Sequence, residues 1–306
     1  MPQPPRRPFR NQPPSKQGQG PFSQPKRQPG PPAKKGSVQP ARQGGGKGGD
    51  DQGWDPVAAW YDKLVGETGS DYHRNVILPA TLRMLDLKGG ERIIDVCCGQ
   101  GVLVKPLLDA GAGTFLGVDA SPRLIQAAEG RHGKNRNVSF RTADACKPGA
   151  WADGSYDAAT CLMAVHDVPD ITGLFTNVAK SLKSGGHAVL VFMHPCFRIP
   201  KKTHWGFDND QKIQFRRLDS YGSPLEIQIA THPGKGGPEQ TIFYHRPLSE
   251  LISAMGKGGL AVTACEELYS HRRSQGGGAF SKAEHKAAEE FPMFIAFRCV
   301  AGASAR

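Results

Sequence analysis

Long apolar runs are missing from this 306-residue sequence. A membrane-spanning helix needs about 18 or more consecutive apolar residues, and no such run occurs, so we do not expect a membrane protein. The first residues are basic but include no short apolar core, which argues against a secretory signal peptide. We therefore predict a cytoplasmic protein.

Cysteine pairs are also missing. The seven cysteines form no Cys-x-x-Cys pair and show no cysteine–histidine spacing typical of a metal site, so we predict no metal. An odd number of cysteines disfavours a disulfide scaffold. Cys97, Cys98, Cys161 and Cys299 fall on or beside apolar strand patterns, and we interpret them as buried thiols in a reducing compartment.

Acidic and large apolar residues are scarce in residues 1–53. This segment holds ten Lys or Arg and only two Asp, which accounts for +8 of the net charge of +11 and leaves +3 on the remaining 253 residues. It also holds twelve of the 25 prolines. Because such a chain buries too little apolar surface to offset its ordering entropy, we predict a disordered tail. A nucleic-acid-binding arm is one hypothesis for it, and a solubilising tail or a mis-assigned start codon is the interpretation we favour.

The most informative stretch runs from Glu91 to Gly101, ERIIDVCCGQG. Its apolar residues, its two glycines and the helical spacing that follows predict a strand, a tight bend and a helix, as at the start of a nucleotide-binding unit. Glycine lets the backbone turn sharply and lets a ligand approach it. A dinucleotide site would place a third glycine at position 104, which is Val104, so we expect a ligand without a pyrophosphate.

A second strand, Thr114–Asp119, ends in an acid. Asp119 follows Gly101 by 18 residues, close to the spacing of roughly 20 at which an acid binds ribose hydroxyls. Ser121 and Pro122 then predict the start of a helix, with Ser as the N-cap and Pro at the first helical position.

The segments IIDVCCGQG, LGVDAS and FRTADA resemble those of class I (Rossmann-like) S-adenosylmethionine-dependent methyltransferases, and the resemblance covers about residues 54–300. It implies S-adenosyl-L-methionine as the cofactor. Cys97 stands where many members of the family have their first glycine. The resemblance also implies that Asp144 accepts a hydrogen bond from the adenine amino group and that the Ala145 N–H donates to the adenine ring. The cofactor-binding residues expected on this basis are Asp95, Cys97, Gly99, Gly101, Asp119, Ala120, Asp144, Ala145 and Met163. Asp144 is alternatively a common turn aspartate.

The alternation of apolar segments predicts an α/β fold with a doubly wound, mostly parallel seven-stranded sheet, helices on both faces and an antiparallel last strand. We expect one methyltransferase domain over residues 54–300, with a substrate-covering insertion at about 195–247 and a tail at 301–306. Within the insertion, residues 225–232 and 240–246 predict a β-hairpin. The polar, Gly-rich segment 270–288 is expected to be a mobile loop. The strands are expected near 92–97, 114–119, 137–141, 156–162, 187–193, 260–268 and 292–299.

Several histidines and tyrosines are expected on the substrate side of the domain. His166 and His194 follow predicted strand ends and are our candidates for a catalytic base. For each side chain, ordinary packing is the alternative, and a metal site at the insertion has no regular spacing to support it. The candidate substrate-binding residues are Tyr61, Tyr72, His73, His194 and His245.

The fourth strand lacks the Asn/Asp-Pro-Pro-Tyr type of box that family members acting on planar amino groups usually carry. Together with the nearly neutral core, this favours in-line methyl transfer to a small-molecule acceptor at O, N or C. Alternatives are an RNA or ribosomal-protein methyltransferase that uses the basic tail, and a non-catalytic protein that only binds the cofactor. Aminopropyl transfer is disfavoured because no clear acidic polyamine slot is present. The sequence does not indicate an oligomeric state.

Overall fold

The computed structural model describes residues 53–230, 240–274 and 276–302. The predicted N-terminal tail, apart from Gly53, lies outside the described residues, and so do residues 231–239, 275 and 303–306. Within the described residues, none of the helices has the length and apolar character needed to cross a membrane.

Seven α-helices and eleven strands are present in the described residues, together with one π-helical turn, His73–Ile77. The helices are α1 Ala58–Val65, α2 Leu78–Leu85, α3 Val104–Asp109, α4 Pro122–His132, α5 Ile171–Ser181, α6 Leu248–Lys257 and α7 Gly278–Glu290. The strands are β1 Arg92–Val96, β2 Thr114–Asp119, β3 Val138–Thr142, β4 Tyr156–Leu162, β5 Leu182–Met193, β6 Thr203–Asp208, β7 Ile213–Leu218, β8 Leu225–Ala230, β9 Gln240–His245, β10 Leu260–Leu268 and β11 Phe294–Ala301.

The main sheet has seven strands in the order β10-β11-β5-β4-β1-β2-β3. Strands β1 to β5 run parallel, and β11 runs antiparallel to both of its neighbours. This confirms the predicted fold class. The strand order reverses between β1 and β4, and in open α/β sheets ligands bind outside the carboxyl ends of the strands at such a point.

Two apolar clusters cover the two faces of the sheet. Along β1, Ile94 and Val96 join the cluster under α5 and α6, whereas Ile93 joins the one under α2 and α3. These three side chains are fully buried. Because consecutive strand residues point to opposite faces, a near-continuous apolar run is what a strand covered on both faces requires. Burial on both faces thereby fixes the position of the carboxyl end of β1.

The start of α4 agrees with the sequence prediction. The Ser121 hydroxyl accepts a hydrogen bond from the Leu124 N–H at 3.2 Å, and Pro122 takes the first helical position. The cap satisfies a backbone donor that the helix itself leaves unpaired. It also fixes the direction in which the chain leaves β2, directly after Asp119.

The predicted loop at 270–288 is wrong over much of its length, because residues from Gly278 onward form α7. Ala283 and Ala287, one helical turn apart, are buried, and the helix packs against β7. The segment KAEHKAAEE is rich in strong helix formers, which the glycines before it obscured in the sequence.

The predicted hairpin is present as β8 and β9, whose register pairs Leu225 with His245. A second hairpin, β6 and β7, was not predicted. Its strands alternate weakly because both faces remain largely exposed, so the sequence lacks the period-two pattern of a half-buried strand.

Candidate functional site

The bend after β1 is built from left-handed backbone. Cys97, Gly99 and Gly101 have φ angles of 60°, 54° and 83°. Glycine adopts this conformation without strain, whereas a residue with a Cβ rarely does so. Cys97 therefore occupies a position where glycine is the natural choice. Met163, at the end of the adjacent β4, is also left-handed, with a φ of 58°. Strained backbone of this kind is concentrated at functional sites.

The two glycines of the bend also let neighbouring side chains lie close to its backbone. A Cβ on Gly101 would lie 3.1 Å from Cδ2 of His132, and one on Gly99 would lie 3.5 Å from the ring of Tyr61. Tyr61 reaches this place from α1, where its ring packs edge-on against Trp54 at 5.0 Å between centroids. The helix before the sheet thus lays an aromatic ring over the bend.

Asp119 connects the bend to the start of α4. One carboxylate oxygen accepts the Gly99 N–H and the other accepts the Ser121 N–H, each at 2.9 Å. Burial raises the pKa of this carboxyl, and the backbone hydrogen bonds oppose the shift. Two carboxylate oxygens offer about four lone-pair sites, so acceptor capacity remains for ribose hydroxyls. The exposed Ala120 lies between Asp119 and the helix cap.

Asp95 is almost completely buried at the end of β1. Its carboxylate accepts a 2.6 Å hydrogen bond from the hydroxyl of Thr160, which pairs with it in the register of β1 and β4. Burial raises the pKa of Asp95 to about 7, and the Thr160 hydrogen bond works against that shift. Thr160 is a supporting residue that the sequence did not reveal, since only the strand pairing places it there.

Asp144 and Ala145 follow β3. The Asp144 carboxylate accepts the Cys146 N–H at 2.9 Å and forms an ion pair with Lys147 at 3.1 Å, which is the turn geometry considered as the alternative. Ala145 is buried, and its carbonyl accepts a hydrogen bond from Asn177. The adenine contacts assigned to Asp144 and Ala145 stay a prediction.

His166 and Asp167 lie together at the carboxyl end of β4. The His166 Nε2 is 3.9 Å from an Asp167 oxygen, and both side chains are largely buried. Burial lowers the pKa of His166 to about 3 and raises that of Asp167 well above its usual value. At neutral pH the imidazole is therefore a weak base, and the carboxylate is better matched to proton transfer.

Tyr61 faces the same carboxyl groups. Burial raises the pKa of the Tyr61 phenol, and the charges of Asp167, Asp119 and Asp95 raise it further. The Tyr61 ring lies beside Gly99, whose N–H donates to the expected cofactor carboxylate Asp119. The role of Tyr61 in substrate binding stays a prediction. Asp167 was not among the predicted site residues and enters the site through its position beside His166.

His194 already uses both of its ring nitrogens. Its Nε2 is 3.0 Å from a Glu267 oxygen, and its Nδ1 accepts the Cys196 N–H at 3.2 Å. Burial lowers its pKa, and Glu267 opposes the shift. These contacts favour a structural role at the turn after β5, and the roles of His194 as a base and a substrate contact stay predictions.

The remaining predicted substrate residues lie on two different segments. Tyr72 packs edge-on against Phe294 at 5.8 Å, and His73 is buried with its Nδ1 2.8 Å from the Ser70 hydroxyl. Burial lowers the pKa of His73 to about 4. His245 is buried on β9 and bonds the Tyr221 carbonyl at 2.8 Å. The Tyr72 hydroxyl also lies 3.3 Å from that of Ser270, and the substrate contacts assigned to all three residues stay a prediction.

Comparisons with known proteins agree with this geometry. Residues 93–186 match the family model described as a methyltransferase domain. The chain is 32% identical to the demethylmenaquinone methyltransferase of Tropheryma whipplei (strain Twist) over 117 residues. This match covers 38% of this chain and 48% of that protein. Over 108 residues it is 35% identical to the ubiquinone biosynthesis O-methyltransferase of Xanthomonas oryzae pv. oryzae (strain PXO99A), covering 35% and 44% of the two chains. The chain thus spans about half the length of the curated relatives it matches.

The S-adenosylmethionine-dependent methyltransferase of Mesorhizobium loti has a similar solved structure. The TM-score is 0.57 at 28% identity, and the match covers 72% of this chain and 95% of that one. In its fold, its left-handed bend and these matches, the chain is similar to class I S-adenosylmethionine-dependent methyltransferases. The comparisons support S-adenosylmethionine as the cofactor, and the remaining acceptor capacity of Asp119 fits the ribose hydroxyls of such a nucleoside.

Proposed function

We propose that the protein transfers a methyl group from S-adenosylmethionine to O, N or C of a small-molecule acceptor. The observation that best supports this proposal is that other segments of the chain lie against the site, over the bend after β1 and beside the end of β4. Tyr61 lies over Gly99, and the hairpin of β8 and β9 is bonded to the site through the Tyr244 N–H, which donates to the His166 carbonyl at 2.7 Å. A covered cleft suits a small acceptor better than a polymer. The relatives named above are methyltransferases of demethylmenaquinone and of ubiquinone biosynthesis, which supports the same class of acceptor.

When bound, S-adenosylmethionine supplies an electrophilic methyl carbon on a sulfonium. A bond from the acceptor atom to that carbon would form as the carbon–sulfur bond broke, and sulfur would keep the electron pair as a neutral thioether. The protein must align the groups and exclude water, and orientation of this kind is worth up to ~7–11 kcal/mol. We assign the alignment to Asp119 and the glycine bend, and the exclusion of water to Tyr61 and the β8–β9 hairpin.

A hydroxyl acceptor must also lose a proton. We propose that Asp167 takes it, because burial raises the pKa of this carboxyl toward the range in which a carboxylate is an effective base. His166, whose pKa is lowered to about 3, then positions Asp167 rather than serving as the base itself. A nitrogen or carbon nucleophile that is already deprotonated would need neither residue for proton transfer.

The test uses S-adenosylmethionine labelled in its methyl group and a cell extract separated by size into small molecules and macromolecules. We expect the full chain to label the small-molecule fraction, and a variant lacking residues 1–53 to do so equally well. Labelling of RNA or ribosomal protein that falls steeply with salt and requires the tail would instead support the alternative in which the basic segment provides affinity.

The non-catalytic alternative predicts a different result in the same assay. In that case the protein binds S-adenosylhomocysteine tightly, yet no fraction of the extract becomes labelled. Any labelled small molecule that depends on the amount of protein excludes it.

A further inference from the structure

A small cavity lies beside the carboxyl ends of β4 and β5, and we call it the hairpin recess because β9 forms one of its walls. Its volume is about 10 Å³, which is room for about one water-sized group. Most of its lining is apolar, with Phe192 and Met193 from the end of β5 and Phe243 from β9. The nitrogen-bearing side chains of His166 and Arg246 also line it. A group in the recess therefore meets both apolar surface and polar side chains.

Arg246 has a buried nitrogen that lacks a partner. Its side chain is 8% exposed, and its Nη2 donates to the carbonyls of Val168 at 3.0 Å and Pro169 at 2.6 Å. Its Nε is 3.9 Å from a Glu250 oxygen, which is too long for a hydrogen bond. The Nη1 is buried and has no hydrogen-bond partner among the described residues. Because a buried donor without a partner is costly, the guanidinium is suited to bind one further acceptor.

His166 has a second buried nitrogen of this kind. Its side chain is 11% exposed, and its Nδ1 has no hydrogen-bond partner in the part of the chain that the structure describes. The ring packs against Phe243 at 4.8 Å between centroids, and the Tyr244 N–H donates to the His166 carbonyl at 2.7 Å. Burial lowers the pKa of His166 to about 3, so at neutral pH the imidazole is uncharged and one of its nitrogens is an acceptor. Strand β9 therefore holds the ring in place while its Nδ1 stays unsatisfied.

These two nitrogens belong to one place in the fold. Arg246 is bonded to Val168 and Pro169, which follow His166 closely in the chain, so one short segment holds both side chains at the recess. Other buried side-chain atoms without a partner occur in the described residues, but none of them belongs to a residue that lines the recess. They are found in Asp62, Arg131, Trp151, Gln214, His271 and Arg298. The recess is thus a site where one small polar group can satisfy two buried nitrogens.

We propose that the hairpin recess binds a hydroxyl group of the methyl acceptor, which accepts a hydrogen bond from Arg246 Nη1 and pairs with His166 Nδ1. This inference rests on the proposed function, since it describes the acceptor of that same site. A hydroxyl both donates and accepts, so it can pair with Nδ1 in either tautomer of the imidazole while its oxygen accepts from the guanidinium. The apolar lining suits a hydroxyl that is carried on an apolar or aromatic framework.

The recess has a defined position relative to the expected cofactor. In the sheet β4 lies between β5 and β1, so the end of β4, with His166 and Asp167 just beyond it, separates the recess from the glycine bend. The volume of the recess admits a hydroxyl oxygen but not an added methyl group as well. The hydroxyl held there is therefore not the atom to be methylated. It orients the acceptor so that the reacting atom faces the bend.

The test compares phenol with toluene in calorimetric titrations of the full chain, with S-adenosylhomocysteine present. We expect phenol to bind about tenfold or more tightly than toluene, which has the same shape but leaves both buried nitrogens without a partner. In Arg246→Lys this preference should fall by about tenfold, because the single nitrogen of lysine cannot replace both Nη2 and Nη1. In His166→Phe, which keeps a ring against Phe243 but loses Nδ1, the preference should also fall, and this variant replaces Arg246→Lys if that one unfolds.

Arg217→Lys is the matched control, because Arg217 is exposed on β7 and paired with Asp219. It should prefer phenol as the unmodified chain does. Equal binding of phenol and toluene, no binding of either, an unchanged preference in the recess variants, or equal loss in Arg217→Lys overturns the inference and leaves water as the occupant of the recess. The labelling assay above is independent of this result. Labelled small molecules without a preference for phenol would end this inference alone, whereas a preference for phenol without any labelling would count against the proposed function.

Discussion

Replacement of Asp119 by alanine tests the link between the bend and the cofactor. The carboxylate accepts two backbone N–H groups, from Gly99 and Ser121, each at 2.9 Å. Both contacts are buried, and alanine offers no acceptor to either donor. The substitution therefore removes the proposed acceptor for the ribose hydroxyls and the clamp that holds the bend against the start of α4.

The two effects have different magnitudes. A hydrogen bond to a charged group contributes about 1.5–3 kcal/mol, so loss of the ribose contact should weaken binding of S-adenosylhomocysteine by roughly 10- to 150-fold. A buried donor left without a partner costs about 1–3 kcal/mol, and water entering the new space offsets part of that cost. We therefore expect the free energy of unfolding to fall by about 2–4 kcal/mol for the two donors together.

Calorimetric titration with S-adenosylhomocysteine and urea unfolding measure the two effects separately. Asp109→Ala is the control, since this exposed aspartate pairs with Lys105 on α3 and with no other side chain that the structure describes. It should leave both quantities within about 0.5 kcal/mol of the unmodified chain. A folded Asp119→Ala variant with an unaltered dissociation constant would refute the ribose role.

Three further predictions concern neighbouring groups. The pKa of Asp95 is raised to about 7, so the folded state binds a proton at this group more tightly than the unfolded state does. The stability that this proton contributes is therefore fully present below about pH 4 and is lost as the pH rises to about 7. Asp95→Asn should flatten that part of the curve of unfolding free energy against pH. If the acceptor is a hydroxyl, kcat should rise with pH through the raised pKa of Asp167 and stay high above it. Asp167→Asn should lower kcat by about 10²- to 10⁴-fold and remove this rise, whereas His166→Gln should keep it. His194→Ala should lower the free energy of unfolding by about 2–4 kcal/mol in urea titrations, because it breaks the Glu267 and Cys196 contacts and leaves a cavity; an unchanged stability with lost activity would restore its catalytic role.

The sequence predicted the sheet and the bend because both depend on local patterns. The apolar run of β1, the glycines that follow it and the Ser121 cap each act within a few residues. The position of Asp119 at the end of β2 could be predicted in the same way, because the apolar residues just before it mark the strand. These features account for the confirmed fold class and for the cofactor.

The rest of the site depends on contacts between distant segments. Thr160 meets Asp95 only through strand pairing, and Glu267 holds His194 across 73 residues of sequence. The preference for Asp167 over His166 as a base depends on burial, which the motif cannot show. The helix α7 and the hairpin of β6 and β7 were missed because they stabilise each other by packing rather than through strong patterns of their own.

A crystal structure of the full chain with S-adenosylhomocysteine tests the central claim most directly. We predict that the ribose hydroxyls lie within about 3.2 Å of the Asp119 carboxylate and that the sulfur faces Asp167 and Tyr61 across the glycine bend. A nucleoside bound elsewhere, or a ribose turned away from Asp119, would contradict the account.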